Sequence, residues 1–134
     1  MPRIIDIEGV GEVYAKKLQS IGIRTTERLL KVAGHKRGRE DLAKQTGISE
    51  KLILEWVNLS DLMRIKGIGE EYSDLLEEAG VDSVKELRNR VPANLHQKII
   101  ETNNLKKLVR RTPSFKEVRR WVQEAKSIPP AVTH

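Results

Sequence analysis

The 134-residue chain contains no cysteine. That excludes a disulfide framework, a thiolate zinc site, an iron–sulfur cluster and a cysteine nucleophile, and the composition reads as that of a cytoplasmic protein. No segment approaches the roughly 20 consecutive apolar residues of a membrane span. The opening stretch MPRIIDIEGVGEVY lacks the apolar core and cleavage site of a secretory signal, so no membrane partner is expected. Aromatic residues amount to 4 %, which leaves Leu, Ile and Val to build the core. Histidine is scarce too: His35, His96 and His134 lie far apart and form no helical ligand pair, so neither metal nor cofactor is expected. The acidic pairs Glu70/Glu71 and Glu77/Glu78 fall on a helix surface, with no apolar pocket to separate their pKa values; no catalytic residues and no enzyme are expected.

The nine glycines are few but regularly placed. IEGVGEVYAKKLQSIGI at 7–23 and IKGIGEEYSDLLEEAGV at 65–81 repeat at an offset of 58. Extended to Leu29 and Leu87, 23 aligned positions hold eight identities, among them Gly9/Gly67, Gly11/Gly69, Tyr14/Tyr72 and Gly22/Gly80. Chance would supply roughly one or two. SEKLILEWV at 49–57 parallels SFKEVRRWV at 114–122, so the duplication covers both ends of each unit. The reading is of one unit at 1–58, a second at 59–128, and a flexible tail, SIPPAVTH, whose paired prolines stop the last helix and leave 129–134 free.

No segment alternates with period two, so the expected class is all-α, about five short helices per unit. RIIDI has strand composition, but its counterpart SDLMRI opens on Ser60, an N-cap type, and both are read as short helices. Tyr14, Leu18 and Ile21, and Tyr72, Leu75, Leu76 and Ala79, form apolar stripes at helical spacing. Gly22 and Gly80 suit left-handed helix ends; Thr25 and Ser83 suit N-caps, with Glu86 completing a capping box. Further helices are expected over 39–45, from Ser49 through Trp56, from Pro92 to about Glu101, over 105–110, and through Trp121 after Pro113. Trp56 and Trp121 read as core, and Asn58, Asp61 and Arg64 as ties between the units.

A glycine, an apolar residue and a second glycine before a helix could bind phosphate. The dinucleotide fingerprint fails, because its third glycine falls on Tyr14 or Tyr72; the Walker loop fails for want of Gly-Lys-Ser/Thr. A tight turn between two helices needs only what is present: glycines for positive φ, and N–H groups at a positive helix end. The pattern Ile-Glu-Gly-Val-Gly-x-x-Tyr-Ala-x-x-Leu-x-x-x-Gly-Ile resembles a helix-hairpin-helix motif. Continued through Leu29, Leu30 and LAKQTGISEKLILEWV, the first unit resembles the small helical N-terminal domain of RadA-type recombinases, and the tandem arrangement is similar to an uncharacterised, mostly bacterial domain of unknown function. The resemblance implies two tandem SAM-like five-helix units and sequence-independent DNA binding, backbone amides gripping phosphates. Those amides would be Gly9, Val10 and Gly11, and Gly67, Ile68 and Gly69. Glu12 and Glu70 depart from the family habit of a basic or small residue after the second glycine.

Charge placement separates the copies. Residues 61–90 carry five basic and eight acidic side chains, net −3; residues 91–134 carry nine and three, net +6. The second hairpin therefore lies on an acidic surface, despite Lys66 beside Gly67. DNA contact is expected at the first hairpin with Lys16 and Lys17, at Lys36, Arg37 and Arg39 in an exposed connection between helices, and at Lys106, Lys107, Arg110, Arg111, Lys116, Arg119 and Arg120 on the last helices. The alternative is a protein-interaction module, including self-association of the −3 and +6 regions.

Overall fold

The computed structural model describes residues 2–134. A 3-10 turn over Ile4–Asp6 precedes α1 (Gly11–Gln19), α2 (Thr26–Ala33), α3 (Lys36–Thr46), α4 (Glu50–Leu62), α5 (Glu70–Glu78), α6 (Val84–Leu87), α7 (Pro92–Lys106) and α8 (Phe115–Ala125). The fold is all-α. Among the described residues, strand-like pairing is limited to an isolated bridge between Arg3 and Thr25. The opening segment turns rather than extends because the Asp6 carboxylate accepts from the Arg3 N–H at 2.9 Å.

Hydroxyl caps start four helices. Thr25, Ser49, Ser83 and Ser114 accept from the N–H groups of Arg28, Leu52, Glu86 and Glu117 at 3.1–3.2 Å. The capping box expected at Ser83 is half made, because the Glu86 side chain turns to Arg90, 3.6 Å away. A complete box stands at Ser114, whose N–H donates to Glu117 Oε1 at 3.0 Å. Gly22 and Gly80 close α1 and α5 at φ +87° and +97°, the left-handed region that favours glycine.

Three helix boundaries differ from the sequence reading. The Trp56 helix and the helix expected from Ser60 are one, α4: residues 56–63 are all buried, no proline or glycine interrupts them, and the boundary drawn at 58 falls inside the helix. No separate helix spans 105–110. Instead α7 runs on to Lys106 and stops where Lys107 takes φ +51°; the Asn103 amide then pins the next segment, donating to the Val109 oxygen at 3.0 Å and accepting from its N–H at 2.9 Å. The pairs 106/110 and 107/111 therefore share no helix face. Finally, α3 begins at Lys36, so the basic stretch expected as a connection is its first turn.

Apolar side chains gather in two clusters. Ile4, Leu18, Leu29, Ile53 and Trp56 lie in the first, and Leu62, Leu76, Leu87, Ile99 and Trp121 in the second. Helix α4 serves both, contributing Leu59 to one and Leu62 to the other. Each cluster carries a tilted aromatic pair: Tyr14 and Trp56 have centroids 5.2 Å apart at 56°, Tyr72 and Trp121 5.4 Å apart at 55°.

Asp61 and Arg64, expected with Asn58 to tie the units together, bond instead to each other, to α6 and to the C-terminal segment, while Asn58 Oδ1 is buried with no hydrogen-bond partner among the described residues. Asp61, 1 % exposed, accepts from Arg64 Nε at 2.9 Å and Nη2 at 2.6 Å through one oxygen, and from the Val84 N–H at 2.8 Å through the other. The segment 129–134, expected to be a flexible tail, is folded back instead. Arg64 donates to the Pro129 oxygen at 2.8 Å, Val132 enters the first cluster, and the Thr133 N–H donates to the Gly34 oxygen at 2.9 Å. Gly34 admits this strap because a Cβ there would overlap the Ala131 carbonyl oxygen.

Candidate nucleic-acid interface

The two glycine turns are not equivalent. In the first, Gly9 and Gly11 take φ +86° and +68°, and an added Cβ would meet nothing within 4 Å at either. Conformation, not space, demands glycine there. In the second, Gly67 takes φ +91° but Gly69 is at −110°, and a Cβ on Gly67 would come within 3.2 Å of Trp121 Nε1. The central apolar residues are buried and their amides committed: Val10 N–H donates to the Ile7 oxygen at 3.2 Å, Ile68 N–H to the Ile65 oxygen at 3.1 Å. Val10 is thus withdrawn from the expected set of phosphate donors, because turn closure uses its N–H.

Both turns border one acidic edge. Burial first, then the Glu8 carboxyl at hydrogen-bonding range, then Asp6 and Glu71, push the Glu70 carboxyl up. Asp74 is pushed up by burial and by Glu8, Glu78 and Glu55; Glu77 reaches about 7 through burial and then Glu55, Glu78, Asp74 and Asp82. Phosphate at either turn would enter this field. Lys66 does not offset it through its backbone, whose N–H donates to Glu124 Oε2 at 3.2 Å, although its side chain is exposed. Lys16 and Lys17 are exposed but stand in the last turn of α1, about 8 Å along the axis from Gly11, where cations favour the helix dipole.

The basic clusters divide. Lys36 and Arg37 are exposed, Arg37 lying 3.8 Å from Asp41. Arg39 leaves the expected exposed set: it is 4 % exposed, donating through Nη1 to the Ala33 oxygen at 3.1 Å and through Nη2 to Thr133. Arg111 is also committed. It clasps both Glu117 oxygens at 2.9 and 3.2 Å and stands over the Tyr72 ring, 6.0 Å from its centroid. That clasp, with the Ser114 N–H, holds Glu117 down at about 2. Lys106 pairs with Glu78. Arg110 is exposed in the irregular segment before α8.

What remains together is on α8. Lys116, Arg119 and Arg120 are exposed, form no ion pair among the described residues, and line an open groove of about 860 Å³ with Phe115, Gln123, Glu124 and Ser127. Their i, i+3 and i, i+4 spacings put them on one side of the helix. Neither acid of α8 pairs with these cations: Glu117 is clasped by Arg111, and Glu124, at the far end of the groove, accepts from the Lys66 N–H. Phe115 was not singled out in the sequence, although its position four residues before Arg119 was readable. Its ring lies 6.0 Å from that of His96, edge to face.

No group of three or more histidine, aspartate or glutamate side chains among the described residues could hold a metal ion. No helix among them is long and apolar enough to cross a membrane. The family model described as a domain of unknown function, DUF4332, matches residues 8–128, and the chain belongs to that family. No curated protein and no solved structure matches it.

Proposed function

We propose that this DUF4332 chain is a noncatalytic cytoplasmic protein of two tandem helix-hairpin-helix units that binds nucleic acid, DNA in the first instance, without regard to sequence. It holds the phosphate backbone on the outer face of α8, and its glycine turns are structural. One observation carries the reading: Lys116, Arg119 and Arg120 stand side by side along a groove with no ion-pair partner among the described residues, Glu117 being held by Arg111 and Glu124, which also lines the groove, accepting from the Lys66 N–H. Like charges so spaced cost helix stability unless an anion offsets them. Lys16, Lys17, Lys36, Arg37 and Arg110 add long-range attraction.

Each phosphate neutralised contributes about −0.9 to the slope of log K against log salt. Replacing Lys116, Arg119 and Arg120 by alanine together is expected to flatten that slope by about 2 to 3 in electrophoretic shift titrations. An unchanged slope, or no wild-type shift at low salt, overturns the proposal.

A second reading is self-association, favoured by the acidic edge at Asp6, Glu8, Glu70 and Glu71, opposite in sign to α8. A salt-independent monomer in sedimentation overturns it.

A further inference from the structure

We infer that the α8 groove takes single-stranded nucleic acid, an unpaired base stacking on Phe115 while neighbouring phosphates lie against Lys116, Arg119 and Arg120. This rests on the phosphate-binding reading above and narrows it to a substrate class.

The argument begins with where the aromatic rings are. Trp56 and Trp121 are buried, and Tyr14 and Tyr72 are half-buried against them. Phe115 is 43 % exposed, more open than any tyrosine or tryptophan among the described residues, and it lines the basic groove. Burying such a ring is favourable, so leaving it open beside three cations forgoes stability. As the first residue of α8, directly after the capped Ser114, it is held at a fixed end of the cation row. Arg119 follows one helical turn later, and Lys116 is its neighbour.

Ligand chemistry supplies the other half. An aromatic face beside guanidinium and ammonium groups matches a base beside its phosphates, and every base offers a π face, so such a platform is indifferent to sequence. A duplex hides its base faces by stacking and presents only edges in its grooves. It could use the cations but not the ring. The groove follows α8 from Phe115 to its end at Ala125, about 15 Å along the helix axis, and reaches Ser127 in the turn beyond, which suits a strand tracking one helix face.

Fluorescence anisotropy on the full chain tests this, with a labelled oligothymidylate, a duplex of equal length and an abasic strand of equal length as probes. Oligothymidylate is expected to bind tightest, and the abasic strand, with the same phosphates, roughly tenfold more weakly. Phe115→Leu, which keeps an apolar side chain at that position, should weaken oligothymidylate binding by roughly tenfold and leave duplex binding and the salt slope unchanged; Phe115→Tyr should bind as the wild type does. Duplex binding as tight as oligothymidylate, an abasic strand bound equally well, or Phe115→Leu without effect overturns the single-strand inference and leaves phosphate binding standing. Failure of all three probes at low salt overturns both. The abasic comparison uses wild-type protein, so it decides the matter even if a variant does not fold.

Discussion

Arg39 Nη2 donates to the Thr133 main-chain oxygen at 2.6 Å, joining residues 94 positions apart. With Nη1 on the Ala33 oxygen, the buried guanidinium fastens the C-terminal strap to the end of α2. Arg39→Met keeps the aliphatic stem and removes both donors. Stranding two carbonyl oxygens is expected to cost about 2–4 kcal/mol in urea unfolding. Deleting 129–134 as well should add less than its separate cost, since the two share one interaction; strict additivity would contradict the strap.

Gly38 sits in the first turn of α3, where a Cβ would overlap the Val32 carbonyl oxygen of α2. Backbone cannot step aside as a side chain can, so Gly38→Ala is expected to cost about 3 kcal/mol. Gly9→Ala has open space above it and only the φ of +86° to bear, about 1–2 kcal/mol. Thermal melts should rank them in that order; the reverse ranking would refute the close approach of α3 to α2.

Glu77 has its folded pKa at about 7, above the unfolded value of about 4.3. Its contribution is therefore full below about pH 4.3 and is lost as pH rises through 7. Glu77→Gln should stabilise the protein at pH 8 by about 1 kcal/mol, a figure reduced for solvent screening at a half-buried site, and the gain should shrink toward pH 4. Glu117 has the opposite sign: held at about 2, it contributes above about pH 4.3 and loses that contribution as pH falls through 2. Urea midpoints across pH separate the two, and a gain from Glu77→Gln that does not vary with pH would remove the acidic edge from the explanation.

What could be read beforehand was whatever depends on neighbours in sequence. Thr25, Ser49 and Ser83 cap because a hydroxyl three residues before a free N–H is a local arrangement, and Gly22 and Gly80 turn because φ is a property of the residue. The tryptophans were legible as core because apolar residues precede them at helical spacing. Arg39 was not: within His35-Lys36-Arg37-Gly38-Arg39 nothing local separates it from exposed neighbours, and its partners are the end of α2 and a strand of chain 94 residues away. The continuity of α4 was masked by Ser60, a capping residue type that is buried within a helix here. The commitment of Arg111 to Glu117 depends on the bend that Asn103 imposes, so the free cations on α8 emerged only with the fold.

The paired rings also make the molecule its own instrument. Each apolar cluster holds a single tryptophan with a tyrosine near enough to pass it excitation energy, and the chain has no other residue of either type. Replacing one tryptophan by phenylalanine would leave an emission signal that reports on one half of the protein alone. Because α4 threads through both halves, the two signals should fade together on unfolding, and their separation would measure how far that common helix can be parted.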